Sequence, residues 1–295
     1  MVSLPSVAEP LLMTFSIAFT DPTFKRVLVL LAGAILTRGR RTVSSVLWTM
    51  RGLAPGDPSS YRRVLSRARW LFWPPGKALA TFLVALAEEH GVGTSLGRVG
   101  HHGQVPLGQT AIDLARGLMA VLLRWFPDKK FVFLGDGGYA SHEFAHWVFV
   151  RDETGNRREE YFYTTDAEFD AGTIIYYFTC RWSIETTFQE MRAHFGFETT
   201  RGRVANTILR TGPCLLGLFS VVSRIYHEHL KRHQPRLADR PNYHKTEPTF
   251  ADAIAEVRRL FWTETVFQQP YFAKAIQKVP PKLKNMLLDN LCQTI

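Results

Sequence analysis

The stretch Ile175–Arg192 reads IYYFTCRWSIETTFQEMR and holds Arg181, then Glu185, then Arg192. At about 3.6 residues per turn these three side chains fall within one narrow stripe of a helix, which the pattern predicts to start near Thr173. A carboxylate between two guanidinium groups suits a protein that binds a divalent metal and grips phosphate together. The carboxylate supplies a hard oxygen ligand, and each arginine can hold phosphate oxygens bidentately. Trp182 neighbours Ile184 off the Glu185 face and is expected in the core.

Upstream, FVFLGDGGYAS (Phe131–Ser141) is an apolar run ending in Asp136, Gly137 and Gly138. It predicts a strand over Phe131–Gly135 with Asp136 just past its carboxyl end, where a side chain can face a crevice. The two glycines leave room for a phosphate to approach the backbone. Plainer readings stay open. An Asp-Gly pair commonly caps a turn, and Glu185 could be an exposed i,i+4 partner of Arg181, worth roughly 0.2–0.5 kcal/mol.

These residues carry a resemblance. The helix is similar to the signature of bacterial insertion-sequence DDE transposases, Y-x2-R-x3-E-x6-K in an RW-x-IE context. Arg181 and Glu185 match it, and Trp182 and Ile184 fit the context. Phe178 stands at the tyrosine position, and Arg192 replaces the lysine, exchanging a point charge for a planar fork. The run ending in Asp136 resembles the family's strand-end aspartate, the second of its three acids. The resemblance implies an α/β fold, a ribonuclease-H-like core with flanking helical regions. It also implies two Mg²⁺ ions held in part by Asp136 and Glu185, and double-stranded DNA (transposon ends and target) as partner. Arg181, Arg192, Arg201 and Arg203 would track the phosphates, and two copies would meet on paired ends.

The chain departs from that pattern in two places. The first acid belongs on the opening strand of a three-stranded meander, yet the residues between Glu89 and Gln109 contain no acid and no alternating apolar pattern. The gap between Asp136 and Glu185 is also short, at 48 residues. Both imply an internally shortened copy with an incomplete ribonuclease-H-like core. Asp166, ending the strand-like YFYTT, is the one substitute third acid, on the condition that its strand runs parallel to Phe131–Gly135. A turn or helix-start role before Thr173 is the preferred alternative.

Composition frames these readings. The chain has 295 residues, 46% hydrophobic and 13% aromatic, enough for a real core, which argues against wholesale disorder. Its net charge of +10 points to a polyanionic partner. Three widely spaced cysteines, without CxxC or zinc spacing, indicate reduced thiols in a cytosolic protein, and the resemblance implies a bacterial cytoplasm with association to the nucleoid. The runs Val27–Leu36 and Cys214–Val222 are too short to span a bilayer and read as buried helices, so no membrane is expected.

Four segments follow along the chain. Residues 1–90 form a helical DNA-binding region, 91–108 a glycine-rich linker, 109–205 the catalytic core and 206–295 a C-terminal helical region without a nameable motif. Helices are expected over about Pro22–Leu36, from Thr42 and from Ser59. Between Arg38 and Arg69 there are eight arginines against one acid, Asp57. The third helix carries Arg62, Arg63, Arg67 and Arg69 beside an apolar stripe with Tyr61 and Val64, compatible with a helix-turn-helix-like module lying across DNA. A helix over Gln109–Phe126 precedes the Asp136 strand. Trp147–Arg151 and Glu159–Thr165 read as a hairpin. His101 and His102 lack a third ligand and read as an exposed pair.

Two functions therefore stand side by side. One is a transposase-family protein with two-metal cleavage and joining of DNA strands, impaired where the first acid is missing. The other is a non-catalytic DNA-binding remnant of such a protein.

Overall fold

The computed structural model describes residues 2–89, 111–134, 146–151, 154, 160–199, 202, 204–237 and 244–293. The chain divides into two compact units, one made of residues 1–83 with 188–295 and the other of residues 84–187. The sequence suggests successive segments, whereas the N-terminal and C-terminal helical regions share a single core. The reason is that neither region covers its own apolar faces. α2 (Asp21–Leu36) turns Leu28, Ala32 and Ile35 inward, and α10 (Phe250–Leu260) answers with Ile254 and Val257. Fully burying side chains of this size stabilises by about 1.5–3 kcal/mol each.

Within this helical unit, the first elements are α1 (Glu9–Met13) and a 3₁₀ turn (Thr14–Ala18). After α2 come α3 (Val43–Thr49) and α4 (Pro58–Ser66). Thr42 caps α3 by accepting the Ser45 N–H at 3.1 Å, and Asp57 caps α4 by accepting the Ser59 N–H at 2.7 Å. These are the starts that the sequence leads one to expect. Gly33 lets α2 and α3 cross closely: a Cβ there would lie 2.6 Å from both Val46 Cγ1 and Met50 Cγ. α4 ends at Ser66, so Arg67 and Arg69 lie beyond the helix instead of on it.

α5 (Trp73–Glu89) crosses the first unit boundary, and α8 (Ser183–Phe195) crosses the second. α9 (Ala205–Leu230) absorbs the apolar Cys214–Val222 run into a 26-residue helix. By length and composition α9 could cross a membrane; here Leu218, Val221, Val222 and Ile225 on it are buried in the helical core. The proline-marked breaks predicted after it occur before α10 and at Pro280–Pro281. α10 opens with a capping box between Thr249 and Asp252 and runs into a π-helical turn (Phe261–Val266), followed by α11 (Pro270–Gln277) and α12 (Pro281–Cys292). The guanidinium of Arg258 on α10 is buried. It donates to the Ile35 carbonyl at 2.9 Å and the Cys292 carbonyl at 3.3 Å, tying together the C-terminal ends of α2 and α12.

The smaller unit contains α6 (Ala111–Trp125), the strands β1 (His146–Val150) and β2 (Glu160–Thr164), and α7 (Ala171–Arg181). β1 and β2 pair antiparallel from His146↔Thr164 to Val150↔Glu160, the expected hairpin. Phe162 of the hairpin stacks on Phe178 of α7 with ring centroids 4.0 Å apart. Among the described residues the fold is thus mostly helical with one two-stranded sheet, compatible with an α/β domain. Of the apolar run before Asp136, residues 131–134 are described and show an isolated bridge at Val132.

Candidate active site and nucleic-acid interface

The Ile175–Arg192 stretch forms two helices instead of the single one expected. Asp170 caps α7 by accepting the Thr173 N–H at 2.6 Å. At Trp182 the helix tightens: its N–H bonds the Thr179 carbonyl, and the Ser183 hydroxyl caps the Cys180 carbonyl at 2.7 Å. α8 then starts afresh, with the Glu185 and Thr186 N–H groups on the Trp182 carbonyl.

This break sets each side chain. Glu185 is exposed in the first turn of α8, where the helix dipole favours a carboxylate. The Arg181 guanidinium lies 5.0 Å from the ring centres of both Phe178 and Trp182. Its Nε is buried and makes no hydrogen bond among the described residues. No ion pair joins Arg181 to Glu185 among those residues, so the helical-pair reading of Glu185 has no support. Trp182 is 54% exposed, which corrects the expectation of a core residue. The aromatic contact with Arg181 explains why it stays at the surface.

Arg192 holds the Glu198 carboxylate bidentately, with both bonds at 2.9 Å. Gly196 (φ +64°) ends α8 in the left-handed region, and Glu198 also has positive φ (67°), so the chain doubles back to bring the two together. Asp136, Arg201 and Arg203, as well as His101 and His102, lie outside the described residues.

Asp166 is a turn residue. Its carboxylate accepts the Glu168 N–H at 3.1 Å and pairs with Lys130 at 3.3 Å. These contacts, the turn N–H first, hold its pKa below the usual value. Lys130 precedes the Phe131–Leu134 run, so this pair places Asp166 by the start of that run.

The arginines of the N-terminal region are where DNA could meet them. Arg62, Arg63, Arg67 and Arg69 are all exposed. Arg62 donates to Ser44 Oγ at 3.2 Å and Arg63 to Ser59 Oγ at 3.0 Å, neither a carboxylate. Sequence reasoning missed what holds this surface in place. Arg210 on α9 donates to the Leu65 carbonyl at 3.0 Å and the Val64 carbonyl at 3.4 Å, and its guanidinium lies 4.7 Å from the Trp70 ring centre. Asn206 donates to the Ser66 carbonyl at 3.2 Å. Two residues some 140 positions away thus cap the C-terminal end of α4, a pairing that no local pattern encodes.

Charge is divided between the units. Residues 84–187 contain 9 Lys+Arg against 14 Asp+Glu, and the remaining residues contain 27 against 12. The whole positive balance of the chain sits in the helical unit.

Residues 113–209 match the family model of the transposase DDE domain, 97 of the chain's 295 residues. Neither a curated protein nor a solved structure matches. The match supports a DDE transposase family, for which transposition on DNA substrates and a divalent metal are the associated chemistry. It spans Asp136, Asp166, Arg181, Glu185 and Arg192.

Proposed function

We propose that this chain binds transposon-end DNA as a transposase-family protein, with Asp136 and Glu185 as carboxylate ligands of a Mg²⁺ site. What carries the reading is the Arg181–Glu185 pair, in family register inside the matched stretch, with Glu185 exposed at a fresh helix start and Arg181 free of any carboxylate among the described residues. Carboxylate oxygens are the donors that Mg²⁺ prefers. Two such ions, when bound, activate the attacking oxygen and stabilise the leaving one in phosphoryl transfer. Here Asp136 and Glu185 would hold metal, Arg181 and Arg192 would clamp phosphates, and Arg201 and Arg203 would extend the track. Arg62, Arg63, Arg67 and Arg69 would seat the duplex, with two copies on paired ends in a bacterial cytoplasm. The ribonuclease-H-like arrangement of the core belongs to the same proposal.

One observation favours the second reading, an end-binding remnant that does not cut. Asp166, the substitute third acid, already satisfies its oxygens with a turn N–H and Lys130. The match also begins at residue 113, after the region where the first acid belongs. The deciding experiment is Mg²⁺- and Mn²⁺-dependent nicking of a plasmid bearing the sequences that flank the gene, with Asp136→Asn, Asp166→Asn and Glu185→Gln in parallel. Cleavage lost in all three variants establishes an active site with Asp166 recruited. Retarded but uncut DNA establishes the remnant, and no retardation of any duplex refutes both.

A further inference from the structure

The C-terminal half of the helical unit contains a groove of about 890 Å³, within the range of ligand sites. It is framed by the end of α9 and the turn after it, by α10, and by the first half of α12. Among the described residues its lining includes Arg232, His233, Arg236, Arg259 and Lys284, with a single carboxylate, Glu256. Both Glu256 and His229 are buried there, and Glu256 Oε1 meets His229 Nε2 at 3.3 Å, so the one acid is already committed.

The cations are less fully committed. Arg259 turns onto Asp289. Arg236 reaches Glu256 only at 3.9 Å and keeps 66% of its side chain exposed. Arg232 and Lys284 make no ion pair among the described residues, and Lys284 is half-buried on the wall. Collecting like charges into one concavity costs self-repulsion that Glu256, 3.9 Å from Arg236, and Asp289, paired with Arg259, offset only in part. An anion relieves that repulsion, and an arginine fork matches the oxygens of a phosphate.

We propose that this groove binds phosphate groups through Arg232, Arg236 and Lys284. The phosphates could belong to a DNA backbone or to a free polyphosphate, and the site is independent of Asp136, Glu185 and the exposed arginines around α4. The test uses the full-length protein and compares wild type with the Arg232→Ala/Arg236→Ala/Lys284→Ala variant and with Arg232→Gln alone. Fluorescence anisotropy of a short labelled duplex gives the dependence of log K on log salt, and calorimetry with tripolyphosphate gives affinity for the small ligand. Each backbone phosphate released lowers the slope by about 0.9, so the triple variant should be shallower by about three if the groove takes DNA. If it takes a free polyphosphate, tripolyphosphate binding should disappear from the triple variant and weaken in Arg232→Gln while the slope stays put. Either result supports the site. An unchanged slope together with unchanged or absent tripolyphosphate binding overturns it, with the melting temperature confirming that the variants are folded. Arg62→Ala/Arg63→Ala serves as reference: it should lower the DNA slope by about two and leave tripolyphosphate binding intact, so failure at the groove is distinguishable from failure of DNA binding itself.

Discussion

Replacing Arg210 by alanine should loosen the exposed arginine surface around α4 without touching any of its arginines. The guanidinium makes one well-formed charge-assisted bond, to the Leu65 carbonyl at 3.0 Å, and such bonds contribute about 1.5–3 kcal/mol. Its bonds to Val64 and Trp70, at 3.4 and 3.5 Å, sit at the edge of the useful range and add little. A cation at a helix C-terminus adds about 0.3–1 kcal/mol, and the contact 4.7 Å from the Trp70 ring centre adds about 0.5–1 kcal/mol at a partly exposed site. These overlap, because one side chain makes them all and it is only half-buried, so the expected loss is about 2–3 kcal/mol. Arg210→Lys keeps the charge but loses the fork and should recover roughly half. Urea unfolding followed by helical circular dichroism measures this as a lower midpoint at unchanged slope. The duplex affinity should fall with it, although Arg210 is not one of the exposed arginines. A loss under about 0.5 kcal/mol, or a lysine variant no better than alanine, would refute the capping role.

Two glycines of the helical unit should respond in opposite directions to the same change. Gly33→Ala places a methyl 2.6 Å from Val46 Cγ1 and Met50 Cγ; overpacking of about 1–3 kcal/mol exceeds the gain of about 1 kcal/mol in helix propensity, so thermal stability falls. Gly217→Ala meets only Leu79 Cδ2 at 4.0 Å and should raise stability by up to about 1 kcal/mol; equal shifts in both melting curves would contradict the packing described. Acidification should destabilise the fold before the carboxylates titrate. Burial holds the His194 and His229 pKa values below the ordinary histidine value. The unfolded chain therefore takes up protons first as the pH drops through about 6.5, and stability present above that pH is lost below it. A melting temperature unchanged between neutral pH and about pH 5.5, still above the usual carboxylate range, would remove this coupling.

Local patterns made much of this chain readable. Thr42 and Asp57 announce the starts of α3 and α4, the apolar repeat of Val27–Leu36 announces a buried helix, and β-rich text on both sides of Thr154-Gly155 announces the hairpin. The break at Trp182 was not legible, because Ile175–Arg192 contains no glycine or proline and each residue in it tolerates a helix. At the interruption a Ser183 hydroxyl takes the Cys180 carbonyl, a local bond that propensity does not encode. The Arg192–Glu198 fork depends on a left-handed glutamate, equally silent in sequence. The association of the two terminal regions was hidden for a different reason. It rests on contacts such as Arg258 to Ile35 and Arg210 to Leu65, separated by 223 and 145 positions, which neither periodicity nor capping rules can reach. The groove after α9 shares that origin, since its cations come from three separate elements.

On the proposed function, the charge division suits the two units to different tasks. A unit with 14 acids against 9 bases repels a duplex at neutral pH and is poorly suited to holding DNA by itself. Such a surplus of carboxylates is what divalent cations require, and each bound Mg²⁺ would reduce the repulsion by two charges. The helical unit, with 27 bases against 12 acids, has the opposite character and can supply salt-dependent affinity without metal. Affinity for duplex should therefore survive chelation with EDTA, whereas cleavage, if this copy retains it, should not. Arg192 also brings the phosphate grip into competition with the protein itself, because its fork already holds Glu198. A DNA phosphate would have to displace that carboxylate, so phosphate capture at α8 is an exchange of one anion for another and contributes less net affinity than an empty fork. On the proposed function, tight binding would then come mainly from exposed cations such as those around α4, leaving Arg192 to position the strand and not to hold it.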